Sequence, residues 1–291
     1  MADSPAPRLH VALTFDFDAL SSWIKDRTHT LPGVSRGEFG AYALPRVLGL
    51  LAKHDITATF FIPGHTIHAY TDLCRSIVDA GHEVGHHGWV HENLKDATEA
   101  EERRIFDKGL EQLARIGVTP AGYRAPSGEF GPATIDLLKE HGIRYDSSLL
   151  GSDYLPYYMR EGDSWTHDGP YQFGTSIDIV ELPFSWALDD YPLLELAPGF
   201  SDAQREPSAV REIWQAEFDF AYDECPGGMW VLSMHPEVIG RGRSIRMLDG
   251  LLEHIKSKPG IQFSTMGHIA EEFRTANPLE QWRASGAFHA R

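Results

Sequence analysis

His87 and His91 stand four residues apart in the segment Gly85-His86-His87-Gly88-Trp89-Val90-His91. On one side of a single helical turn, imidazoles at that spacing can reach the same divalent cation, and imidazole is a good ligand for zinc and similar ions. A catalytic ion needs a third ligand, hard and anionic, and positions left open for water and substrate. The run Leu13-Thr14-Phe15-Asp16-Phe17-Asp18-Ala19 offers two carboxylates. Two apart in an extended segment, they face the same way. Asp18, His87 and His91 form the expected ligand set, and Asp16 is the expected base for the proton of an attacking water. Arg124, in Gly122-Tyr123-Arg124-Ala125-Pro126, suits the task of keeping that base ionised and oriented. His235, in Leu232-Ser233-Met234-His235-Pro236, is placed to give a proton to a leaving nitrogen. Together these groups describe a metal-dependent hydrolase of a non-peptide C–N bond. His82 and His86 are also four apart, but His86 should point away from His87.

The rest of the chain must bring these segments together. Residues 9–18 alternate and end in acid, which predicts a buried strand with Asp16 and Asp18 at its carboxyl end. Further strands are expected at 57–62, 83–85, 143–146, 177–182, 229–236 and 261–263, with a strand end at 122–126. Helices are expected between them, at 44–54, 66–80, 98–116, 132–141, 206–224 and 244–256. The stretch from Leu20 to Ala41 reads as a long loop, either a lid over a pocket or a surface insertion. Asp146 with Ser147-Ser148 reads as a turn or helix cap. Alternating strands and helices give parallel strands with crossover helices. The fold class is therefore α/β. About seven strands with no Gly-x-Gly-x-x-Gly fingerprint favour a barrel over an open dinucleotide-binding sheet. Every named polar group falls at a predicted strand end, where such barrels carry their chemistry. No linker or repeat divides residues 1–291, so a single catalytic domain is expected.

Bulk properties narrow the partners. Acidic residues number 42 against 26 basic ones, a formal charge of −16. That surface repels phosphate backbones, so no nucleic-acid partner is expected. No apolar run approaches the length of a membrane span, and the first residues lack a secretory pattern. Two cysteines, Cys74 and Cys225, exclude a disulfide framework. These features predict a cytoplasmic protein with a small-molecule or short saccharide substrate.

The same residues resemble the polysaccharide deacetylase family, also called the NodB homology domain or carbohydrate esterase family four. Thr14-Phe15-Asp16-Phe17-Asp18-Ala19 is similar to its Thr-Phe-Asp-Asp-Gly motif, with Phe17 extra. His87 to His91 matches its His-(Ser/Thr)-x-x-His motif, with Gly88 in place of the hydroxyl residue. Arg124-Ala125-Pro126-Ser127 matches Arg-x-Pro-aromatic, with Ser127 in place of the aromatic, and Leu232–His235 matches Leu-x-x-His. The resemblance runs from about Leu9 to Met266 and lies nearest a branch of peptidoglycan-deacetylase-like and cofactor-free allantoinase-like proteins. It implies a distorted (β/α) barrel and one divalent metal ion, with zinc expected and cobalt or manganese-like ions compatible. It implies Asp16 as base, Asp18, His87 and His91 as ligands, and the Ser127 N–H as an oxyanion donor. An acid orienting His235 is also implied, for which Asp189 and Asp190 are the candidates. The absent aromatic at Ser127 implies a missing sugar wall, which favours a small amide, an acetylated amino sugar or an oligosaccharide or peptidoglycan fragment over polymer. A homo-oligomer is implied for this branch. The alternatives are a metal-free ureide amidohydrolase and a non-catalytic sugar- or ureide-binding barrel.

Overall fold

The computed structural model describes residues 6–25, 30–196 and 204–286. Its centre is one sheet whose strands are β1 (Leu9–Asp16), β2 (Thr59–Ile62), β3 (Glu83–His86), β4 (Gly122–Tyr123), β5 (Tyr145–Asp146), β6 (Tyr157–Glu161), β7 (Thr175–Glu181), β8 (Gly228–Met234) and β9 (Ile261–Phe263). The order is β6-β7-β5-β4-β3-β2-β1-β8, with β9 also paired to β1. All pairings are parallel except β6 with β7. The sheet is curled into a distorted barrel, as the alternation predicts. It carries nine strands among the described residues rather than about seven. Each expected segment holds a strand, and β6 is added where none is expected.

β1 is buried at all eight positions. A parallel strand covered on both faces reads as a near-continuous apolar run, and helices pack on its flanks. Trp214 and Phe218 of the helix Pro207–Glu224 and Leu248, Leu251 and Leu252 of the helix Gly242–Lys256 join Leu9, Val11, Leu13, Phe15 and Phe17 in the main core. The helix Glu99–Arg115 opens on a capping box between Thr98 and Glu101, as its Thr-x-x-Glu start allows. The expected helix over 66–80 is two helices, Gly64–Ala69 and Thr71–Asp79, parted at Tyr70 with φ −130°.

The predicted loop from Leu20 to Ala41 is largely helical: Ser21–Ile24, then nearly half of a helix spanning Leu31–His54. Residues 26–29 of that stretch lie outside the described residues. Its glycines are there for close approach rather than for turns. A Cβ on Gly37 would sit 2.3 Å from the Ala19 carbonyl oxygen, and one on Gly40 would sit 2.8 Å from Glu237 Oε2. The helix therefore lies directly on the turn that follows β1.

Parallel register sets the rim of the sheet. Ile62 pairs with His86, His86 with Tyr123, Tyr123 with Asp146, and Asp146 with Glu181. His87, Arg124 and Ser147 therefore come next along three adjacent strands, at one level on the carboxyl edge.

Candidate functional site

Asp16 ends β1 and Asp18 lies two residues on, both buried. Phe17, between them, turns the other way into the main core and is fully buried. The extra residue thus keeps both carboxylates on one side. Asp18 is held by its backbone: its carbonyl accepts from Ser21 N at 2.9 Å and from Thr66 Oγ1 at 2.5 Å. Ala19 follows at φ 46°, a left-handed conformation that sharply turns the chain.

His87 and His91 do meet, but not on a helix. They lie in a loop after β3, in which Gly88 has φ 70° and His91 φ 61°. The expected helical turn is therefore wrong, and two left-handed residues do its work. His87 Nε2 stands 3.5 Å from Asp18 Oδ1, and His91 Nε2 stands 3.3 Å from Asp18 Oδ2. His87 Nδ1 lies 2.7 Å from the Arg124 carbonyl oxygen. It donates there, so the Nε2 lone pair faces the carboxylates. Asp18 Oδ1 and His87 Nε2 are buried without a hydrogen-bond partner. Burial drives the His91 pKa down to about 4, so its ring stays neutral, as a metal ligand requires. Two buried orphan acceptors, a neutral imidazole and ligand atoms within 4.8 Å of one another fit a divalent cation. Of the other histidine pair, His86 faces away: its Nε2 contacts the Phe106 carbonyl oxygen at 2.9 Å and its Nδ1 accepts from Gly88 N.

Gly109 locks this loop from behind. A Cβ there would lie 2.4 Å from His86 Nε2 and 2.8 Å from the Gly88 carbonyl oxygen. Gly109→Ala should destabilise the protein by about 1–3 kcal/mol through overpacking. Thermal melting tests this, and an unchanged melting temperature would refute it.

Arg124 is satisfied on all sides. Its Nη1 donates to Asp16 Oδ1 at 2.8 Å and to Thr14 Oγ1 at 3.0 Å. Its Nε donates to the Ser147 carbonyl oxygen at 3.1 Å and its Nη2 to Ser147 Oγ at 3.0 Å. The Phe61 ring lies 4.4 Å from the guanidinium carbon. Burial alone would raise the Asp16 pKa, but the charges of Arg124, His87 and His235 together hold it below the ordinary carboxylate value. Asp16 is therefore ionised at neutral pH.

His235 follows β8. Its Nδ1 is 2.8 Å from Asp190 Oδ1, and its backbone N–H reaches both Asp190 oxygens at 3.1 and 3.0 Å. Burial pushes the imidazolium toward losing its proton, but the hydrogen bond and charge of Asp190, with Asp189 and Asp18, raise the pKa well above its ordinary value. Of the two candidate orienting acids, Asp190 makes the contact. Asp189 lies 4.0 Å away and caps the short helix Asp190–Leu194 through Tyr191 N. Asp189, Asp190 and His235 also cluster closely enough to suggest a metal site. The direct Asp190–His235 hydrogen bond instead accounts for those two groups.

All these groups except His87 and Asp190 line one cavity of about 690 Å³. Its walls include Trp23, which lies in the stretch read as a lid or insertion, and Phe184, Trp186 and Tyr191. Trp186 faces the Ser127–Gly128 turn, with Cζ2 3.9 Å from where a Gly128 Cβ would stand. An aromatic wall thus exists beside Ser127 even though Ser127 supplies none. Ser127 itself sits at φ 60°, ψ 14°. Non-glycine residues at positive φ cluster at functional sites, and Ala19, His91 and Ser127 all border this one.

Comparison with known proteins follows the same outline. A polysaccharide deacetylase family model matches residues 3–145. The chain is 35% identical to a Helicobacter pylori peptidoglycan deacetylase over 95% of this chain and all of that one. It is 28% identical to a Gibberella zeae peptidoglycan deacetylase-like protein over 91% of this chain and 86% of that one. A Mycobacterium smegmatis structure assigned to the polysaccharide deacetylases superposes with a TM-score of 0.82, 36% identity, and coverage of 95% of this chain and 93% of that one. The structure of an allantoinase shares the fold, with a TM-score of 0.77, 20% identity, and coverage of 95% and 96%. With near-complete alignment to such relatives and a curled parallel sheet of the same kind, the chain belongs to the polysaccharide deacetylase family.

Proposed function

We propose that this protein is a divalent-metal-dependent N-deacetylase of an acetylated amino sugar, in a short saccharide or peptidoglycan fragment. One observation carries the reading: the Asp16–Arg124 ion pair stands beside the Asp18–His87–His91 donor cluster. Asp18, His87 and His91 would hold the ion, with zinc expected from the nitrogen and oxygen donors. A bound ion would polarise the acetyl carbonyl and acidify water. Asp16, ionised and fixed by Arg124, takes the water proton as its oxygen adds to the carbonyl carbon. The Ser127 N–H, at the cavity wall, would meet the oxygen that gains charge. His235, protonated and anchored by Asp190, gives its proton to the leaving nitrogen as the C–N bond breaks. The products are acetate and a free amine.

Trp186 and Phe184 support a sugar ring as the acyl carrier, because aromatic faces stack on apolar sugar faces. The ureide alternative shares the fold, but it gives no role to buried, unpartnered Asp18 Oδ1 and His87 Nε2. A single catalytic domain is supported by the sheet, which joins β1 to β8 and β9 from the far end of the chain. A cytoplasmic setting is supported by two free cysteines. Among the described residues no helix is long and apolar enough to cross a membrane. Homo-oligomer formation is supported by Trp165, Tyr171 and Phe173, grouped on the β6–β7 hairpin and 68%, 45% and 57% exposed.

The test is acetate release from tri-N-acetylchitotriose and from muramyl fragments, with zinc-loaded and chelator-treated protein and with allantoin as control substrate. Release that needs the ion supports the proposal. Turnover of allantoin alone, or release unaffected by chelation, would overturn it.

A further inference from the structure

Two buried carboxyls lie behind the site and take no part in the chemistry described. Asp146 ends β5 and Glu181 ends β7; they are register partners on adjacent parallel strands and both are fully buried. Paired residues in a parallel ladder face the same side, and both carboxyls accept from a single donor, Ser148 N. Two buried anions gathered on one donor would repel each other, so the pair holds one proton. Glu181 Oε2 is buried with no hydrogen-bond partner.

What the pair grips is the turn that holds Arg124. Ser148 N donates to Asp146 Oδ2 at 3.0 Å and to Glu181 Oε1 at 3.1 Å. Leu149 N donates to the same Glu181 oxygen at 3.0 Å. Ser148 Oγ donates to Asp146 Oδ1 at 2.9 Å and accepts from Ala125 N at 2.8 Å. The adjacent Ser147 supplies two of the acceptors that fix the Arg124 guanidinium. From Glu181 to Asp16 the chain of contacts is continuous and buried.

We infer that Asp146 and Glu181 share one proton and act as positioning residues, holding the Ser147–Ser148 turn and through it Arg124 and the Ala125–Ser127 backbone. This rests on the hydrolase reading only for its effect on rate. Burial raises both pKa values, Asp146 to about 6 and Glu181 well above its ordinary value, the latter also through the charge of Asp146. The groups facing the pair are Arg124 and Tyr123 at the end of β4, Tyr145 on β5 and Tyr157 on β6. The three phenols are themselves pushed upward by burial and remain neutral. Arg124 is thus the only charge among them, and it favours one anion in the pair rather than none.

The test compares wild type with Glu181→Gln, whose amide can donate where the shared proton lies, and with Glu181→Ala. In the infrared difference spectrum of wild type minus Glu181→Gln near neutral pH, one carboxylic-acid C=O band is expected, shifting in D2O. The folded state takes up a proton that the unfolded chain holds only at lower pH, so wild-type stability is full below the unfolded glutamate pKa and falls as pH rises. The melting temperature of Glu181→Gln should therefore gain on wild type as pH rises from acid to neutral. In zinc-loaded protein, Glu181→Ala should lose about a hundredfold in kcat on tri-N-acetylchitotriose, by misplacement of Arg124, with zinc content and KM little changed. Glu181→Gln should recover most of that loss. No acid band, a melting difference independent of pH, or an undiminished kcat in Glu181→Ala would each overturn the inference. If wild type releases no acetate, the hydrolase reading fails, and the infrared and melting results still decide the shared proton.

Discussion

His87→Ala is expected to abolish tight metal binding and, with it, turnover. His87 contributes a buried Nε2 that has no hydrogen-bond partner and stands 3.5 Å from Asp18 Oδ1. Its other nitrogen is committed to the Arg124 carbonyl oxygen, so the ring cannot swing away to satisfy itself elsewhere. Removing the ring leaves one imidazole and one carboxylate, too few to fix an ion with open positions. Losing even an outer-sphere partner of a metal ligand costs about 10–100-fold in affinity, so losing the ligand should cost more. Elemental analysis after zinc loading and desalting should find one ion per chain in wild type and almost none in the variant. Zinc in excess should raise the wild-type melting temperature, because an ion that binds only the folded state stabilises it by about 2.7 kcal/mol at a hundred times its Kd. The variant should show no such rise. One tightly held ion in His87→Ala would remove His87 from the ligand set. No retained ion in wild type would remove the metal from the mechanism.

Asp16→Asn is expected to separate the base from the ion. Asparagine keeps the shape and an acceptor for Arg124 Nη1, which the aspartate now meets at 2.8 Å. It cannot take a proton. The ligands Asp18, His87 and His91 remain, so zinc content should stay at the wild-type level. Losing a positioned general base costs about 10²–10⁴-fold, and the fall should appear in kcat more than in KM, because the proton moves only in the transition state. Stability should fall by about 1–3 kcal/mol, since Arg124 is buried and would face a neutral partner. A near-normal rate with zinc retained would sink the base assignment. Because the first substitution should empty the site and the second should leave it filled, the pair of variants distinguishes binding from proton transfer.

The chemistry-bearing residues were legible because each sits at a strand end with a simple period. Asp16 and Asp18 follow from the two-residue repeat of an extended chain, and they do face one side, with Phe17 turned into the core. Arg124 and His235 follow from their places after β4 and β8. The spacing of His87 and His91 was also informative, but for the wrong reason. Four residues need not mean a helix when Gly88 and His91 both take left-handed backbone. A non-glycine residue at positive φ is uncommon, so nothing in the spacing could announce it.

What stayed hidden depends on contacts between distant segments. The helix Leu31–His54 opens with Pro32, Gly33, Gly37 and Gly40, a composition that reads as loop. Gly37 and Gly40 are required by the Ala19 carbonyl and by Glu237, neighbours that no local pattern reveals. Trp186 and Phe184 become pocket walls only because their segment folds beside Ser127–Gly128. Asp190 was separable from Asp189 only by geometry: adjacent residues point differently, and one reaches His235 while the other caps a helix. Asp146 and Glu181 are 35 residues apart and meet through register across a sheet. The sequence alone determined the parallel α/β plan and the residues at its rim, because strand and helix periods are local. Tertiary structure decided which rim residues touch, since a hydrogen bond depends on tenths of an ångström between segments brought together by the whole fold.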